Sequence, residues 1–183
     1  MSLPNLITIA RILLVPVIIL LINSGQMSYA FILFIMAGLS DGVDGFIAKH
    51  FDQATKLGAY LDPVADKILL VSIYIALGQL GYLPEWLVIL VVSRDLLIVG
   101  AFLLAWIMGL NIKVAPLMVS KANTTVQIVL AGLILANLGF DLKLSVITDI
   151  CLYAVAVLTV LSGVAYLIEW MRDMARFEDG SKH

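Results

Sequence analysis

A chain of 183 residues that is 62% hydrophobic and only 13% charged, with a mean hydropathy of +1.09, is far more apolar than an ordinary soluble domain, where roughly a quarter of residues carry charge. This composition predicts an integral membrane protein, and a net charge of −2 without a basic, aromatic-rich patch sets nucleic acid aside as a partner. The lone cysteine, Cys151, excludes an internal disulfide and leaves the redox compartment open.

The first residues, MSLPNLITIARILL, show neither a positive leader region nor a small-residue cleavage pattern, so no removable signal peptide is expected. The first apolar segment is read over 5–23, entered at Pro4 and ended by Asn23-Ser24-Gly25. Further segments are expected over 28–48, 59–80, 85–109, 121–139 and 144–171, and about 20 residues suffice to span a bilayer. The predicted fold class is therefore all-α, an integral membrane bundle of six transmembrane helices. No 20- to 50-residue repeat divides the chain, so residues 1–171 form one membrane domain and 172–183 a polar tail expected to fray. With six spans, both termini and the turns at 49–58 and 110–120 share a side. That side carries Arg11, Lys49, Lys56, Lys67, Lys113, Lys121, Arg172, Arg176 and Lys182, while the opposite loops carry only Lys143. The basic side is expected to be cytoplasmic.

Residues 41–66 are the costly stretch, because Asp41, Asp44, Asp62 and Asp66 lie in a chain that is otherwise mostly hydrocarbon. Each aspartate near a bilayer centre costs roughly 2.5–3.5 kcal/mol on insertion scales, on the order of 10 kcal/mol for four. Divalent cations are the natural compensation. Asp41 and Asp44 are three residues apart and Asp62 and Asp66 four apart, so each pair shares one helix face. Two such helices facing each other would offer four converging carboxylates. Gly45 and Gly58, each four residues from an aspartate, let backbone approach a bulky ligand. KHFDQATK reads as a short exposed turn in which His50 is solvated. At 1.5 Å per residue the outermost carboxylates reach roughly 12 Å into the membrane, which predicts a polar cavity open to the cytoplasmic side.

Other polar residues each carry two readings. Asn5, Thr8 and Arg11 fall at helical spacing, either as an interfacial cap with a snorkelling arginine or as ligand contacts. Arg94 and Asp95 interrupt the run LVILVVSRDLLIVGAFLLAW. Adjacent residues do not face each other on a helix, so each needs a partner elsewhere, in an interhelical salt bridge or an anion site. Lys121, with Thr124 and Thr125 at helical spacing, is either a positive-inside anchor or faces the same cavity as Arg94. Glu169, Trp170 and Arg172 read as interfacial belt.

Asp41, Asp44, Gly45, Ala48, Gly58, Asp62 and Asp66 stand as D-x-x-D-G-x-x-A-(K)-x8-G-x3-D-x3-D, a pattern that resembles the signature of the CDP-alcohol phosphatidyltransferases. Lys49 departs from it, since the family usually has arginine there; lysine keeps the charge and loses the bidentate fork. The resemblance implies that Asp41, Asp44 and Asp62 hold two Mg²⁺ or Mn²⁺ ions, while Asp66 contacts one ion and takes the proton from the acceptor hydroxyl. It implies that Asn5 and Thr8, in a P-N-x-x-T-x-x-R entry, join Asp41, Gly45, Ala48, Lys49 and Gly58 around the cytidine diphosphate. Two ions about 3.5–4 Å apart would clamp a diphosphate and stabilise attacking and leaving oxygens, and hard oxygen ligands suit Mg²⁺ or Mn²⁺. A carboxylate beside a cation is a weak base, so lowering of the hydroxyl's own pKa by the metal shares the work.

The implied donor is CDP-diacylglycerol, with Arg94 and Lys121 binding the acceptor. Over residues 4 to about 135 the stretches LGAYLDPVADKILLVSIYIAL, SRDLLIVGA and PLMVSKANTTVQIVLAGLIL resemble most the CMP-forming cardiolipin synthases, which use phosphatidylglycerol. The related phosphatidylglycerophosphate synthases, which use glycerol 3-phosphate, usually present a lysine where this chain has Asn123. Losing that charge favours the monoanionic lipid over the dianion. Family members are typically homodimers, and a bacterial inner membrane is the expected location. A divalent-metal transporter is the non-enzyme alternative, although such sites lie near the midplane between repeated halves. A membrane prenyltransferase would release pyrophosphate instead of CMP.

Overall fold

In the computed structural model the backbone is described for residues 3–50, 56–107 and 118–180, and side chains for 9–40, 65, 67–100 and 118–172. Six helices account for the described backbone: α1 (Leu3–Asn23), α2 (Met27–His50), α3 (Lys56–Gln79), α4 (Glu85–Ile107), α5 (Met118–Phe140) and α6 (Ser145–Gly180). Each coincides with one expected apolar segment. The last does not stop near 171 but runs on to Gly180, because WMRDMARFE consists of residues compatible with helix and the first strong breaker is Gly180 itself.

Two of the turns are set by glycine. Gly25 (φ 73°) and Gly81 (φ 78°) take the left-handed conformation that side-chain-bearing residues avoid. At the first, Gly25 N–H donates to Ile22 O at 3.0 Å and Gln26 N–H to Leu21 O at 2.9 Å. At the second, Gly81 N–H donates to Gly78 O at 3.0 Å and Tyr82 N–H to Leu77 O at 2.9 Å. These paired bonds satisfy the last carbonyls of α1 and α3 in the Schellman pattern, and the chain reverses at once into α2 and α4.

The helices close into a ring whose order in space is α1, α2, α5, α6, α4, α3, and α3 also touches α5 across it. That crossing contact divides the interior into two compartments that share α3 and α5. The apolar core, with Ile18, Ile22, Phe34, Ile73, Leu77, Leu87, Leu130 and Leu135, runs through both. Outward faces are also apolar: Leu13, Leu20, Leu39, Ile89, Leu96, Ile150 and Tyr153 are all exposed. An apolar exterior around an apolar core is what lipid, not water, tolerates. By length and composition α5 and the stretch Ser145–Arg172 of α6 can each cross a membrane, and Ile9–Asn23, Met27–Ser40 and Lys67–Gln79 are shorter apolar helical stretches.

Candidate active site

The compartment bounded by α3, α4, α5 and α6 contains charge. Arg94 is 3% exposed and Asp95 5%, both in the middle of α4. Lys67 on α3 places its Nζ 2.7 Å from Asp95 Oδ1, and Arg94 Nη1 lies 2.5 Å from the same oxygen. The guanidinium also donates from Nε (3.2 Å) and Nη2 (2.6 Å) to Ser162 Oγ on α6, and from Nη2 to Ser120 Oγ on α5 at 2.5 Å. The ring of Tyr166 lies below it, 5.9 Å from Cζ to the centroid, within range of a cation–π contact. One arginine thereby joins three helices, and the carboxylate beside it reaches the fourth.

Deeper along α5 the polar character continues. Thr159 of α6 donates to Asn123 Oδ1 at 3.0 Å, and the Tyr74 hydroxyl of α3 to the backbone oxygen of Gln127 at 3.1 Å. Asn123 Nδ2 and both amide atoms of Gln127 are buried without a hydrogen-bond partner among the described residues, each at a desolvation cost of about 1–3 kcal/mol. Ser120, Asn123 and Gln127 recur at helical spacing, so one stripe of α5 carries the whole series.

The other compartment, bounded by α1, α2, α3 and α5, holds a cavity of about 270 Å³ lined by apolar side chains including Phe34, Leu69 and Leu70, with Thr124 and Arg11. Arg11 is 1% exposed, so it does not snorkel to an interface. Its helix packs against both α2 and α3, which encloses the side chain. Gly38, Leu39 and Ile128, which also line the cavity, are exposed on the outward side, so the cavity opens laterally.

These positions correct parts of the sequence reading. Arg94 and Asp95 do meet despite being adjacent, because a long guanidinium curls back to a short carboxylate; each also has the interhelical partner that was expected. Ser120, not Lys121, approaches Arg94, while Lys121 is exposed on α5. Three contributors were missed: Lys67, counted only as a topological charge, Ser162 and Thr159. Their signal was a lysine following the last aspartate inside an apolar run, and two hydroxyls three residues apart on α6.

Asp41, Asp44, Gly45, Ala48 and Lys49 fall within α2, Gly58, Asp62 and Asp66 within α3, and Asn5 and Thr8 within α1; their side chains lie outside the described residues. Among the described residues no three His, Cys, Asp or Glu converge on an ion. The donor set that the sequence offers, four carboxylates on consecutive helices, has the hard-oxygen chemistry that suits Mg²⁺ or Mn²⁺.

An all-helical, membrane-associated protein with charged groups sealed between apolar helices is the class that this fold and site define. The chain belongs to the CDP-alcohol phosphatidyltransferase family, whose profile matches residues 1–162. It is 35% identical over 181 residues to a CDP-diacylglycerol–glycerol-3-phosphate 3-phosphatidyltransferase of Bacillus subtilis, covering 90% of this chain and 93% of the relative. It is 32% identical to a CMP-forming cardiolipin synthase of Rattus norvegicus, covering 90% of this chain and 60% of the relative. A probable CMP-forming cardiolipin synthase of Drosophila melanogaster is 36% identical over 149 residues, 73% of this chain and 46% of the relative. Relatives of both names thus share the fold-bearing part of the chain.

Proposed function

We propose that this phosphatidyltransferase moves the phosphatidyl group of CDP-diacylglycerol onto phosphatidylglycerol, forming cardiolipin and CMP. The observation that carries the choice of acceptor is the charge balance of the buried cluster. Among the described residues there, Arg94 and Lys67 supply two positive charges and Asp95 one negative, while the buried Asn123 adds none. One net positive charge in a low-dielectric interior matches a singly charged phosphodiester better than a dianion. A second reading, phosphatidylglycerophosphate synthesis from glycerol 3-phosphate, is favoured by the near full-length match to the Bacillus subtilis relative.

In this mechanism an acceptor hydroxyl oxygen attacks the phosphorus that bears the diacylglycerol. The bond from that phosphorus to the CMP oxygen breaks, and the hydroxyl proton passes to Asp66. Asp41, Asp44, Asp62 and Asp66 would hold two Mg²⁺ or Mn²⁺ ions, which when bound clamp the diphosphate and stabilise the leaving oxygen. Asn5, Thr8, Gly45, Ala48, Lys49 and Gly58 would surround the cytidine diphosphate, with Arg94 orienting the acceptor. The lateral cavity beside Gly38, three residues or less than one helical turn before Asp41, supports entry of an acyl chain of the donor from the bilayer. All six helices are proposed to span a bacterial inner membrane with the aspartates reached from the cytoplasm, and the chain is proposed to work as a homodimer, as the family resemblance implies.

The test is to supply purified protein with CDP-diacylglycerol and Mg²⁺, offer phosphatidylglycerol and glycerol 3-phosphate in separate reactions, and identify products by mass. Cardiolipin with stoichiometric CMP is expected, and Asp62→Asn should release none. Phosphatidylglycerophosphate as the sole product would transfer the assignment to the second reading.

A further inference from the structure

In the proposed mechanism no step falls to Lys67, whose charge enters only the balance of the buried cluster, although it follows Asp66 directly. Ala65, on the other side of Asp66, is completely buried. Lys67 is anchored at 2.7 Å to Asp95, which Arg94 ties in turn to Ser120 and Ser162. The segment of α3 that carries Asp66 is therefore flanked by a packed residue and a bridged one, and the bridge leads into a network with donors or acceptors on four helices.

A lone bridge at Lys67, whose side chain is 30% exposed, would add little. Its carboxylate, however, is 7% exposed and held from a second side by Arg94. Arg94, itself bonded to Ser120 and Ser162, holds Asp95 independently of Lys67, so the anchor point does not depend on α3. A rotation of α3 about its own axis would pull Lys67 from Asp95 and turn Asp66 with it, since the two are consecutive.

From this geometry we infer that Asp95 is a positioning residue: through Lys67 it sets the rotation of α3 and so the placement of Asp66 for ion binding and proton transfer. The inference rests on the proposed role of Asp66. It makes Lys67–Asp95 a support to the reaction centre, separate from any contact of Arg94 with the acceptor.

Lys67→Gln is the informative variant, because it leaves the buried Arg94–Asp95 pair intact; Asp95→Asn and Lys67→Arg complete the set. Binding of Mn²⁺ to detergent-purified protein, followed by electron paramagnetic resonance without substrate, is measured beside kcat and both KM values. Lys67→Gln and Asp95→Asn should weaken Mn²⁺ binding and lower kcat by about 10- to 100-fold, the scale for removing a group that orients a metal ligand. Lys67→Arg should restore most of both. Wild-type Mn²⁺ binding and kcat in a folded Lys67→Gln protein would overturn the inference, whatever the acceptor KM does. Failure of the proposed function shows differently: wild-type protein would make no CMP with either acceptor, while the Mn²⁺ titration still reads the effect of Lys67.

Discussion

Arg94 uses its shape as much as its charge. Nε, Nη1 and Nη2 each donate, to Ser162, to Asp95, and to Ser120 with Ser162, and a planar fork can serve three directions that a compact ammonium cannot. Arg94→Lys should therefore raise the acceptor KM roughly tenfold or more with the donor KM little changed, about 1.4 kcal/mol of lost acceptor binding; an unchanged acceptor KM would return Arg94 to a purely structural role. At this scale the sequence was partly legible. An arginine and an aspartate inside an apolar run announce themselves by cost, whereas Ser120, Thr159 and Ser162 do not, because hydroxyls are common in membrane helices and only the meeting of α4, α5 and α6 gives them a charged partner. Asn123 was noticed for the charge it lacks; its bond to Thr159 and its complete burial come from tertiary packing.

Two glycines on helices show how one residue type serves opposite ends. A Cβ on Gly139 of α5 would meet Ser28 N at 2.8 Å and Ser28 Cα at 2.9 Å, backbone atoms that cannot yield, and Ser28 Oγ donates to Gly139 O at 2.7 Å across the same crossing. Gly139→Ala should cost about 1–3 kcal/mol by overpacking, seen as a lower midpoint of thermal unfolding in detergent. Gly38 of α2 has nothing within 4 Å of an added Cβ and lines the lateral cavity. Gly38→Phe should leave the unfolding midpoint unchanged while raising the KM for CDP-diacylglycerol; an unaltered KM would remove the cavity from the lipid path. Helix positions were readable from apolar length and from turn residues such as Gly25 and Gly81, but which glycine faces a backbone and which faces space depends on helix pairing, and sequence order does not report that.

Viewed whole, the ring order differs from the chain order, since α3 lies beside α1 and α5 lies between α2 and α6. Such pairing could not be inferred from periodicity, because helices that are apolar on every side carry little directional signal. Lys121 and Lys143, near opposite ends of α5, are both exposed and report whether that helix crosses. In a Cys151→Ser background, Lys143→Cys should react with a membrane-impermeant maleimide on intact cells, and Lys121→Cys only after lysis; labelling of both from one side would overturn the six-span arrangement. The α3–α4 hairpin has a further consequence, for biogenesis. Counting 1.5 Å per residue, Lys67 lies about 18 Å before the end of α3 and Asp95 about 15 Å into α4, so in the proposed six-span arrangement the two charges would reach similar depth once the hairpin forms. In that arrangement Asp95, which alone would add roughly 3 kcal/mol to insertion, would meet a second countercharge beside Arg94, from the helix made just before it. The hydroxyls that complete Arg94 come later, with α5 and α6, so the order of synthesis supplies a counterion first and solvating groups second.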